Sequence, residues 1–287
     1  MDLHQILCKF KEEQDYHDYL IERRWPNGVC CPCCSSGKVC SRGNTVRFKC
    51  QSCNSSFSAT CGTVFHATRL PLSKWFLAMS VILNAKKGIS SLQLARTIGV
   101  NKNTAWYMQM RLRKAMKEDI TLNGVVEVDE TYIGGALGNM SREEKLKRNP
   151  FKSGMIHKVP VLGMVQRKGK LILQPVSNAN KEVLRPILRE KVSKNSTIIT
   201  DGFGPYRTLN REFAHHVAIN HEKKQKALGI YNLNSVEGFF TTIKRAIIGQ
   251  YHTITREHVS HYLSEISFKF NNANKDLFSL LVTKCVT

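Results

Sequence analysis

The sequence predicts an α/β domain in the C-terminal half of the chain, preceded by a small cysteine-rich module and a helical region. Eight of the ten cysteines lie in residues 25–66, a segment otherwise rich in Ser, Asn and Gly. Residues 67–120 carry Leu, Trp, Met and Ile at helical spacing. From residue 121 onward strand and helix patterns alternate, which is typical of an α/β domain. The predicted segments are a helical N-terminus at 1–24, the cysteine-rich module at 25–66, the helical region at 67–120, the α/β domain at 121–275 and a tail at 276–287.

The charge of the chain favours a polyanionic partner over a merely solvated surface. Lys and Arg number 43 against 22 Asp and Glu, which gives a formal net charge of +21. The cations are spread along the whole chain, as expected for a protein that contacts the phosphates of double-stranded DNA at several places.

The apolar pattern predicts no membrane segment. The longest apolar stretch, residues 75–83, is shorter than the roughly 20 residues that a membrane-spanning helix needs. The first 16 residues mix acids and bases and have no signal-peptide core. We therefore expect a cytoplasmic, nucleoid-associated protein whose cysteines are thiols or metal ligands.

Two C-x2-C pairs predict one structural Zn²⁺ site. Cys31 and Cys34 form the first pair, Cys50 and Cys53 the second, and 15 residues separate them. Each pair can bind one ion from a tight turn, and two pairs complete a tetrahedral site in a zinc ribbon. A closed four-cysteine site is structural rather than catalytic.

The first pair has an overlapping alternative, Cys30 and Cys33. We prefer Cys31 and Cys34 because Pro32 then lies inside the turn. The other cysteines are expected to be ordinary small apolar residues: Cys8, Cys40, Cys61 and Cys285.

A helix-turn-helix is predicted within the helical region. Residues 91–98 form the first helix, Gly99 allows the turn, and residues 103–115 form the second helix. A second helix of this kind can enter the major groove, whereas a plain helical hairpin would use the same basic residues only to favour the helix dipole. The predicted DNA contacts are Arg111, Arg113 and Lys114, and the aromatic residues expected in the core are Trp75, Phe76 and Trp106.

The order of elements after residue 121 is typical of the RNase H-like fold. The predicted elements are a strand at 124–133, a basic loop at 136–157, a hairpin of strands 158–166 and 170–176, a helix at 181–192, a strand at 196–200, and helices at 234–247 and 256–271.

Acidic residues inside apolar runs mark a candidate site in this basic chain. Asp129 lies in the first strand with Glu127 on the same face, and Asp201 ends the strand at 196–200. Glu237 lies on the following helix, with 35 residues between it and Asp201, and Lys244 lies two helical turns beyond it.

This D…D(35)E pattern, with the basic residue seven positions on, resembles DDE transposases and retroviral integrases. More narrowly, the chain is similar to bacterial insertion-sequence transposases that have an N-terminal zinc ribbon and an ISXO2-like domain and are related to the Merlin elements. The similarity covers about residues 20–272, and the runs that carry it are 25–34, 62–79, 88–106, 126–135, 201–206 and 234–255.

The resemblance implies a transposase that hydrolyses phosphodiester bonds and transfers strands into target DNA. It implies that Asp129, Asp201 and Glu237 hold two Mg²⁺ (or Mn²⁺) ions and that Lys244 and Arg245 contact DNA. The partners it implies are double-stranded DNA, as element ends and as target, and further copies of the chain in a homo-oligomer on that DNA.

Two features depart from the family pattern. Asn232-Leu-Asn234 stands where members often have His-x-Asn, and Asn234 is an alternative third ligand to Glu237 because the two share a helix face. Glu237 is preferred because a carboxylate binds hard cations better than an amide does. The Arg-rich ending of the family is replaced here by FKFNNANK at 268–275.

Several alternatives stay open at this stage. Glu127 is either an acid that supports the site or a solvent-facing or Lys-paired acid, and Asn234, if not a ligand, is the N-cap of its helix. The histidines at 215, 216 and 221 are loop residues or metal neighbours, and Tyr251 and His252 are DNA contacts by resemblance alone. The alternative functions are an inactive, transposase-derived DNA-binding regulator, another RNase H-like nuclease such as a junction resolvase, and a zinc-ribbon transcription factor.

Overall fold

The computed structural model describes residues 1–41, 46–134, 158–219 and 227–286. The predicted basic loop at 136–157 and His221 lie outside these residues. The chain forms two compact units. Unit 1 comprises Met1–Met116 and Asn272–Thr287, and unit 2 comprises Lys117–Asn271.

Unit 1 is mainly helical. Its helices are α1 (Leu3–Lys9), α2 (Glu13–Arg24), α3 (Leu72–Asn84), α4 (Ser91–Ile98), α5 (Lys102–Ala115) and α9 (Leu277–Val286). An aromatic cluster joins both chain segments of this unit, because Phe76 of α3 contacts Phe10 and Tyr16 on one side and Phe278 of α9 on another. The residues predicted as a C-terminal tail therefore form a helix that packs into unit 1.

The cysteine-rich module is a three-stranded antiparallel sheet with a very small core. Its strands are β1 (Val39–Ser41), β2 (Arg47–Cys50) and β3 (Ser56–Ser58), in the order β1-β2-β3. Trp25 packs against Phe48 and Phe57 at ring-centroid distances of 6.0 and 5.9 Å. So little apolar surface leaves the module dependent on a second source of stability.

Helices α4 and α5 form the predicted helix-turn-helix. Ser90 caps α4, and Asn101 caps α5 by accepting a hydrogen bond from the Thr104 amide at 2.8 Å. Between the helices, Gly99 adopts φ 67° and ψ 53°, a left-handed conformation that favours glycine.

Unit 2 contains a five-stranded mixed sheet. Its strands are β4 (Val125–Ile133), β5 (Val159–Gln166), β6 (Leu171–Pro175), β7 (Thr197–Asp201) and β8 (His215–Ile219), in the order β6-β5-β4-β7-β8. The β4–β5 and β5–β6 pairs are antiparallel, whereas β4–β7 and β7–β8 are parallel. Its helices are α6 (Lys181–Lys191), α7 (Asn234–Ala246) and α8 (Val259–Asn271). This strand order, with α6 between β6 and β7, confirms the predicted RNase H-like α/β fold.

Helices cover both faces of this sheet. Val236 and Phe240 of α7 share one apolar core with Ile199 of β7. Leu184 of α6 shares the other core with Val128 of β4. Since α7 packs on β4 and β5, the sheet is a fixed platform for any side chain that α7 carries.

The predicted elements of unit 2 agree with the structure to within a few residues, with one omission. Strand β8 was not predicted, since residues 215–219 begin with two histidines and show no alternation of apolar and polar residues. The end of α7 also differs, because residues Ile247–Tyr251 continue as a π-helical turn that ends at His252 with φ 57°.

Candidate active site and zinc centre

Asp129 lies in the middle of β4, and Asp201 is the last residue of the neighbouring parallel strand β7. In the β4–β7 ladder, Glu127 stands beside Ile199, which is the last pair of that ladder. Asp129 and Asp201 each follow two residues further along their strands. Both aspartates are half-buried, and the charges of both act on Glu130. The two side chains are on the face of the sheet that α7 covers, because Ile199 belongs to the core on that face.

Each aspartate is oriented by a nearby backbone amide. The Asp129 carboxylate accepts a hydrogen bond from the Glu130 amide at 2.8 Å, and Asp201 accepts one from the Phe203 amide at 3.0 Å. Two carboxylates on one face of neighbouring strands are hard oxygen donors, which is the ligand type that Mg²⁺ and Mn²⁺ prefer. The residues present therefore fit a divalent cation.

Glu130 is a third acid, directly after Asp129 on β4, and it was not predicted from the sequence. Its carboxylate accepts a short hydrogen bond from the Tyr206 hydroxyl. Burial, aided by the negative charges of Asp129 and Asp201, raises the pKa of Glu130 to about 8. The same surroundings raise the pKa of Tyr206 well above its ordinary value, burial being the main cause. The available signal was a second acid directly after Asp129 in an otherwise apolar strand.

The loop after Asp201 is held from α6. Arg185, which is 7% exposed, donates from Nε and Nη2 to the Pro205 carbonyl at 3.1 and 3.0 Å. Its Nη1 also pairs with Glu212 at 3.0 Å. Hydrogen bonding by Arg189, with the charges of Arg189 and Arg185, lowers the pKa of Glu212. This ionic cluster fixes the backbone that follows the second aspartate.

Helix α7 carries both candidates for the third ligand. Asn234 is its first residue, and Glu237 lies one turn further on; both are exposed. Asn234 is not the N-cap, because the Asn232 side chain accepts from the Asn234 amide at 3.2 Å and Glu127 accepts from the next two amides. The role of helix cap for Asn234, the alternative to ligand, is thus wrong.

The three predicted acids are not gathered as tightly as a metal cluster. Among the described ranges, the four ribbon cysteines are the only group of three or more His, Cys, Asp or Glu side chains whose ligand atoms all lie within 4.8 Å of one another. Asp129, Asp201 and Glu237 do not form such a group, although Glu237 stands on the helix that covers the face of the sheet with the two aspartates.

A cavity of about 540 Å³ opens beside the acids. It is lined by residues 130–134, Lys158, Lys244, Ile247 and Ile248. Two lysines therefore face a space large enough for a polyanionic chain.

The predicted DNA contacts on α7 are both accessible. Lys244 and Arg245 are exposed near the end of the helix. Asp129 and Asp201 are not among the residues that line the cavity beside Lys244, so this space borders the aspartates rather than containing them.

The four predicted zinc ligands lie together in unit 1. Cys31 and Cys53 have their Sγ atoms 3.6 Å apart, and so do Cys34 and Cys50. A tetrahedron with Zn–S bonds of about 2.3 Å has edges of about 3.8 Å, so the thiols fit Zn²⁺. The choice of Cys31 and Cys34 over the overlapping pair is confirmed.

Ser55 supports this cluster from outside. Its hydroxyl lies 3.3 Å from the Cys31 Sγ and 3.0 Å from the Cys53 Sγ. This hydrogen bonding is the main reason why the pKa of Cys31 falls to about 6 and that of Cys53 is also lowered. The serine therefore favours the thiolate form, which is the form that binds metal.

The second helix of the helix-turn-helix requires one correction. Arg113, predicted to contact DNA, is 0% exposed, because it follows Gln109 by four residues on the buried side of α5. Arg111 is half-buried and donates to the carbonyls of Thr63 and His66 at 3.2 and 3.1 Å. It therefore anchors α5 within unit 1.

The exposed side of α5 has a different composition from the one expected. Lys114 is exposed, as a DNA contact requires. Trp106 and Tyr107 are 39% and 49% exposed, so the prediction that Trp106 lies in the core is wrong. Trp75 and Phe76 are buried as predicted.

The remaining singled-out residues have structural surroundings. His216 lies on β8, 2.9 Å from the Thr200 hydroxyl, and burial lowers its pKa. His215 is exposed on the same strand. Tyr251 packs edge-on against Tyr262 with ring centroids 4.6 Å apart. Within the described residues, none of these side chains belongs to a group of three or more His, Cys, Asp or Glu residues placed to hold a metal ion.

An RNase H-like domain that follows a zinc ribbon and a helix-turn-helix in one chain defines a protein of the transposase class. The chain belongs to the ISXO2-like transposase family. The model of the ISXO2-like transposase domain matches residues 121–271, and that of the transposase zinc-ribbon domain matches residues 11–56.

Two relatives have sequences similar to this chain. An uncharacterized protein in transposable element ISH50 of Halobacterium salinarum is 26% identical over 265 residues, which cover 88% of this chain and 89% of that protein. An uncharacterized transposase-like protein of Haemophilus influenzae is 33% identical over 115 residues, covering 40% of this chain and 92% of that protein.

Among solved structures, the Mos1 transposase paired-end complex with the left transposon end is 15% identical, with a TM-score of 0.30. The match covers 73% of this chain and 75% of that one. The Mos1 strand transfer complex gives a TM-score of 0.28 at 15% identity, with 74% of each chain covered. These scores add nothing to the fold assignment, which rests on the sheet order and the family match.

No helix within the described ranges combines the length and the apolarity that crossing a membrane would need.

Proposed function

We propose that the chain is a DNA transposase that binds the ends of its mobile element, hydrolyses phosphodiester bonds there and joins the freed ends to target DNA. The observation that carries this proposal is the pair of half-buried aspartates, Asp129 within β4 and Asp201 at the end of the neighbouring parallel strand β7, on the face that α7 covers. Family membership supports the transposase class.

The proposed ligands of two Mg²⁺ (or Mn²⁺) ions are Asp129, Asp201 and either Glu237 or Asn234. Such cations, when bound, activate the attacking water or 3′-hydroxyl and stabilise the leaving oxygen. Asp129, oriented by the Glu130 amide, and Asp201, oriented by the Phe203 amide, hold their carboxylates ready for this without rearrangement. Preorganised charge of this kind is what makes phosphoryl transfer fast.

Lys244 and Arg245 are proposed to hold DNA phosphates beside the acids, together with Lys158, which lines the same cavity as Lys244. Each cation that meets a phosphate releases counterions and thereby contributes affinity. Lys114 on α5 is also proposed to contact DNA phosphates, and the exposed Trp106 and Tyr107 of the same helix are proposed to provide further contact surface.

The ribbon is proposed to contain one structural Zn²⁺ and to act, with the helix-turn-helix, in recognition of the element end. Two ends must be processed together in transposition, so the active form is proposed to be a homo-oligomer assembled on double-stranded DNA.

The test is cleavage of a labelled duplex that carries the element's own end, in Mg²⁺ or Mn²⁺. Asp201→Asn should abolish cleavage. Only one of Glu237→Gln and Asn234→Ala should abolish cleavage, because only the residue that serves as third ligand is essential. Asp119→Asn is the matched control, because Asp119 is an exposed acid of unit 2, with its side chain 90% exposed, and its loss should leave cleavage unchanged.

Two results would contradict the proposal. Asp201→Asn that cleaves like the unmodified chain would remove the acid site. Specific binding of the end without any metal-dependent cleavage by the unmodified chain would identify a DNA-binding regulator instead.

A further inference from the structure

Glu127, two residues before Asp129 on β4, is a buried acid whose two carboxylate oxygens both accept hydrogen bonds. Its exposed fraction is 0%. Its Oε2 accepts from the amides of Ser235 and Val236 at 2.9 and 3.3 Å, and its Oε1 accepts from the Ser235 hydroxyl at 3.0 Å. An acid buried without such partners would strongly destabilise the fold.

Arg167 completes this arrangement from the turn between β5 and β6. Its Nε donates to the Glu127 Oε1 at 3.0 Å. Its Nη1 and Nη2 donate to the carbonyls of Ile230 and Asn232 at 2.8 and 3.2 Å. One guanidinium thus connects the acid of β4 with the chain that leads into α7.

These contacts join the two halves of the candidate site. Glu127 and Asp129 lie on the same face of one strand. The two amides that donate hydrogen bonds to Glu127 belong to the first turn of α7. Asn234 is the first residue of this helix, and Glu237 lies one turn further on. A carboxylate at a helix N-terminus is favoured by the helix dipole as well as by the amides it binds.

We propose that Glu127 and Arg167 are positioning residues that fix the start of α7 relative to Asp129, and so set where the third metal ligand stands. This inference rests on the proposed function. Neither residue is proposed as a ligand, because both carboxylate oxygens of Glu127 accept hydrogen bonds from the protein itself.

Charge is the property that the arrangement requires. Glu127→Gln replaces one carboxylate oxygen by an NH₂ group, which cannot accept a hydrogen bond. In one orientation the NH₂ group faces the two α7 amides, and in the other it faces Arg167 and the Ser235 hydroxyl. In either orientation the hydrogen bonds from the groups that face the NH₂ group are lost. Arg167→Lys keeps the charge but cannot form the planar fork that reaches the acid and both carbonyls together.

The experiment compares Glu127→Gln, Arg167→Lys and Ser235→Ala with the unmodified full chain. Ser235→Ala removes one hydrogen bond to Glu127 and keeps the amide, so it serves if the other variants fail to fold. Glu265→Gln is the matched control, because Glu265 is another acid of unit 2 that is 2% exposed and paired with a cation, Lys269, but on α8.

Two measurements are made on each variant. Hydrogen exchange at the amides of residues 235 and 236, without DNA or metal, reports whether the start of α7 is held. Mn²⁺ titration, followed by the electron paramagnetic resonance of free Mn²⁺, reports the metal affinity independently of cleavage.

We expect Glu127→Gln and Arg167→Lys to speed exchange at these two amides and to weaken Mn²⁺ binding by about 10-fold or more. Ser235→Ala should weaken it by about threefold, since one hydrogen bond is lost. Cleavage at saturating Mn²⁺ should recover in part. Glu265→Gln should leave both measurements as in the unmodified chain.

The inference is overturned if Glu127→Gln and Ser235→Ala bind Mn²⁺ like the unmodified chain, or if Glu265→Gln weakens Mn²⁺ binding equally. Failure of the proposed function gives a different pattern, in which the unmodified chain binds no Mn²⁺ that depends on Asp201 and cleaves no DNA, whatever the exchange at α7.

Discussion

Gly163 controls how closely α7 approaches the sheet beneath the candidate site. It stands opposite Asp129 in the β4–β5 ladder. A Cβ added there would lie 2.7 Å from two ring atoms of Phe240 and 2.9 Å from the Val236 Cγ2. Ordinary contact begins near 3.4 Å, so the helix or the ring would have to move by about 0.7 Å.

Neither neighbour has room to move easily, since Phe240 is 5% exposed and Val236 is 0% exposed. We expect Gly163→Ala to lower the free energy of unfolding by about 1–3 kcal/mol, the usual cost of overpacking. Because Asn234 and Glu237 move with the helix, cleavage should fall by about 10- to 100-fold, as expected for a misplacement approaching 1 Å.

The assay is urea unfolding of the full chain together with metal-dependent cleavage of the element end. Gly238→Ala is the matched control, because it adds the same methyl group to α7 at a position where nothing lies within 4 Å. It should raise the free energy of unfolding by up to about 1 kcal/mol through helix propensity. Adding Phe240→Leu to Gly163→Ala should restore part of both losses. A Gly163→Ala chain as stable and as active as the unmodified one would refute the close packing of α7 on β5.

Three further predictions concern other parts of the chain. Ser55→Ala should weaken Zn²⁺ binding by about 10-fold, measured by competition with a chelator, because the hydroxyl no longer favours the thiolate at Cys53; unchanged affinity would exclude that role. The lowered pKa of Glu212 means that its ion pair stabilises the fold above the ordinary pKa near 4.5 and is lost as the pH falls through the lowered value. The stability difference between the unmodified chain and Glu212→Gln, from urea midpoints, should therefore shrink from pH 7 to pH 3, and a constant difference would contradict it. Lys244→Ala should weaken binding to all DNA sequences alike and reduce the slope of log affinity against log salt by about 1, measured by fluorescence anisotropy; an unchanged slope would place this lysine away from phosphate.

Local patterns were sufficient to predict much of the architecture. The C-x2-C pairs indicated the four thiols that the structure brings together, because metal coordination by such a pair is a local constraint. Gly99 located the turn of the helix-turn-helix, since a left-handed residue acts within a few residues of the chain. The order of strands and helices was sufficient for the fold class of unit 2.

Features that depend on distant parts of the chain could not be predicted. Glu127 was left between two roles because its partners Arg167 and Ser235 are 40 and 108 residues away. Arg113 was assigned to DNA because helical spacing alone does not say which side of α5 is covered. Which of Asn234 and Glu237 is the third ligand is equally a matter of long-range placement, and the structure leaves both on the exposed side of α7.

Unit 1 is built from two separate segments of the chain, and this affects the order in which the protein can fold during synthesis. Its last helix, α9, follows the whole of unit 2 in the chain, and the Cys285 carbonyl accepts from the Val64 amide at 2.9 Å. The residues of unit 2 are all synthesised before the helix against which Phe76 packs. The contacts within unit 2 can therefore form without α9, whereas the unit with the zinc ribbon and the helix-turn-helix reaches its final packing only after residues 277–286 have been added. A copy cut short by a late frameshift would keep every acid discussed above and yet lack the last helix of unit 1.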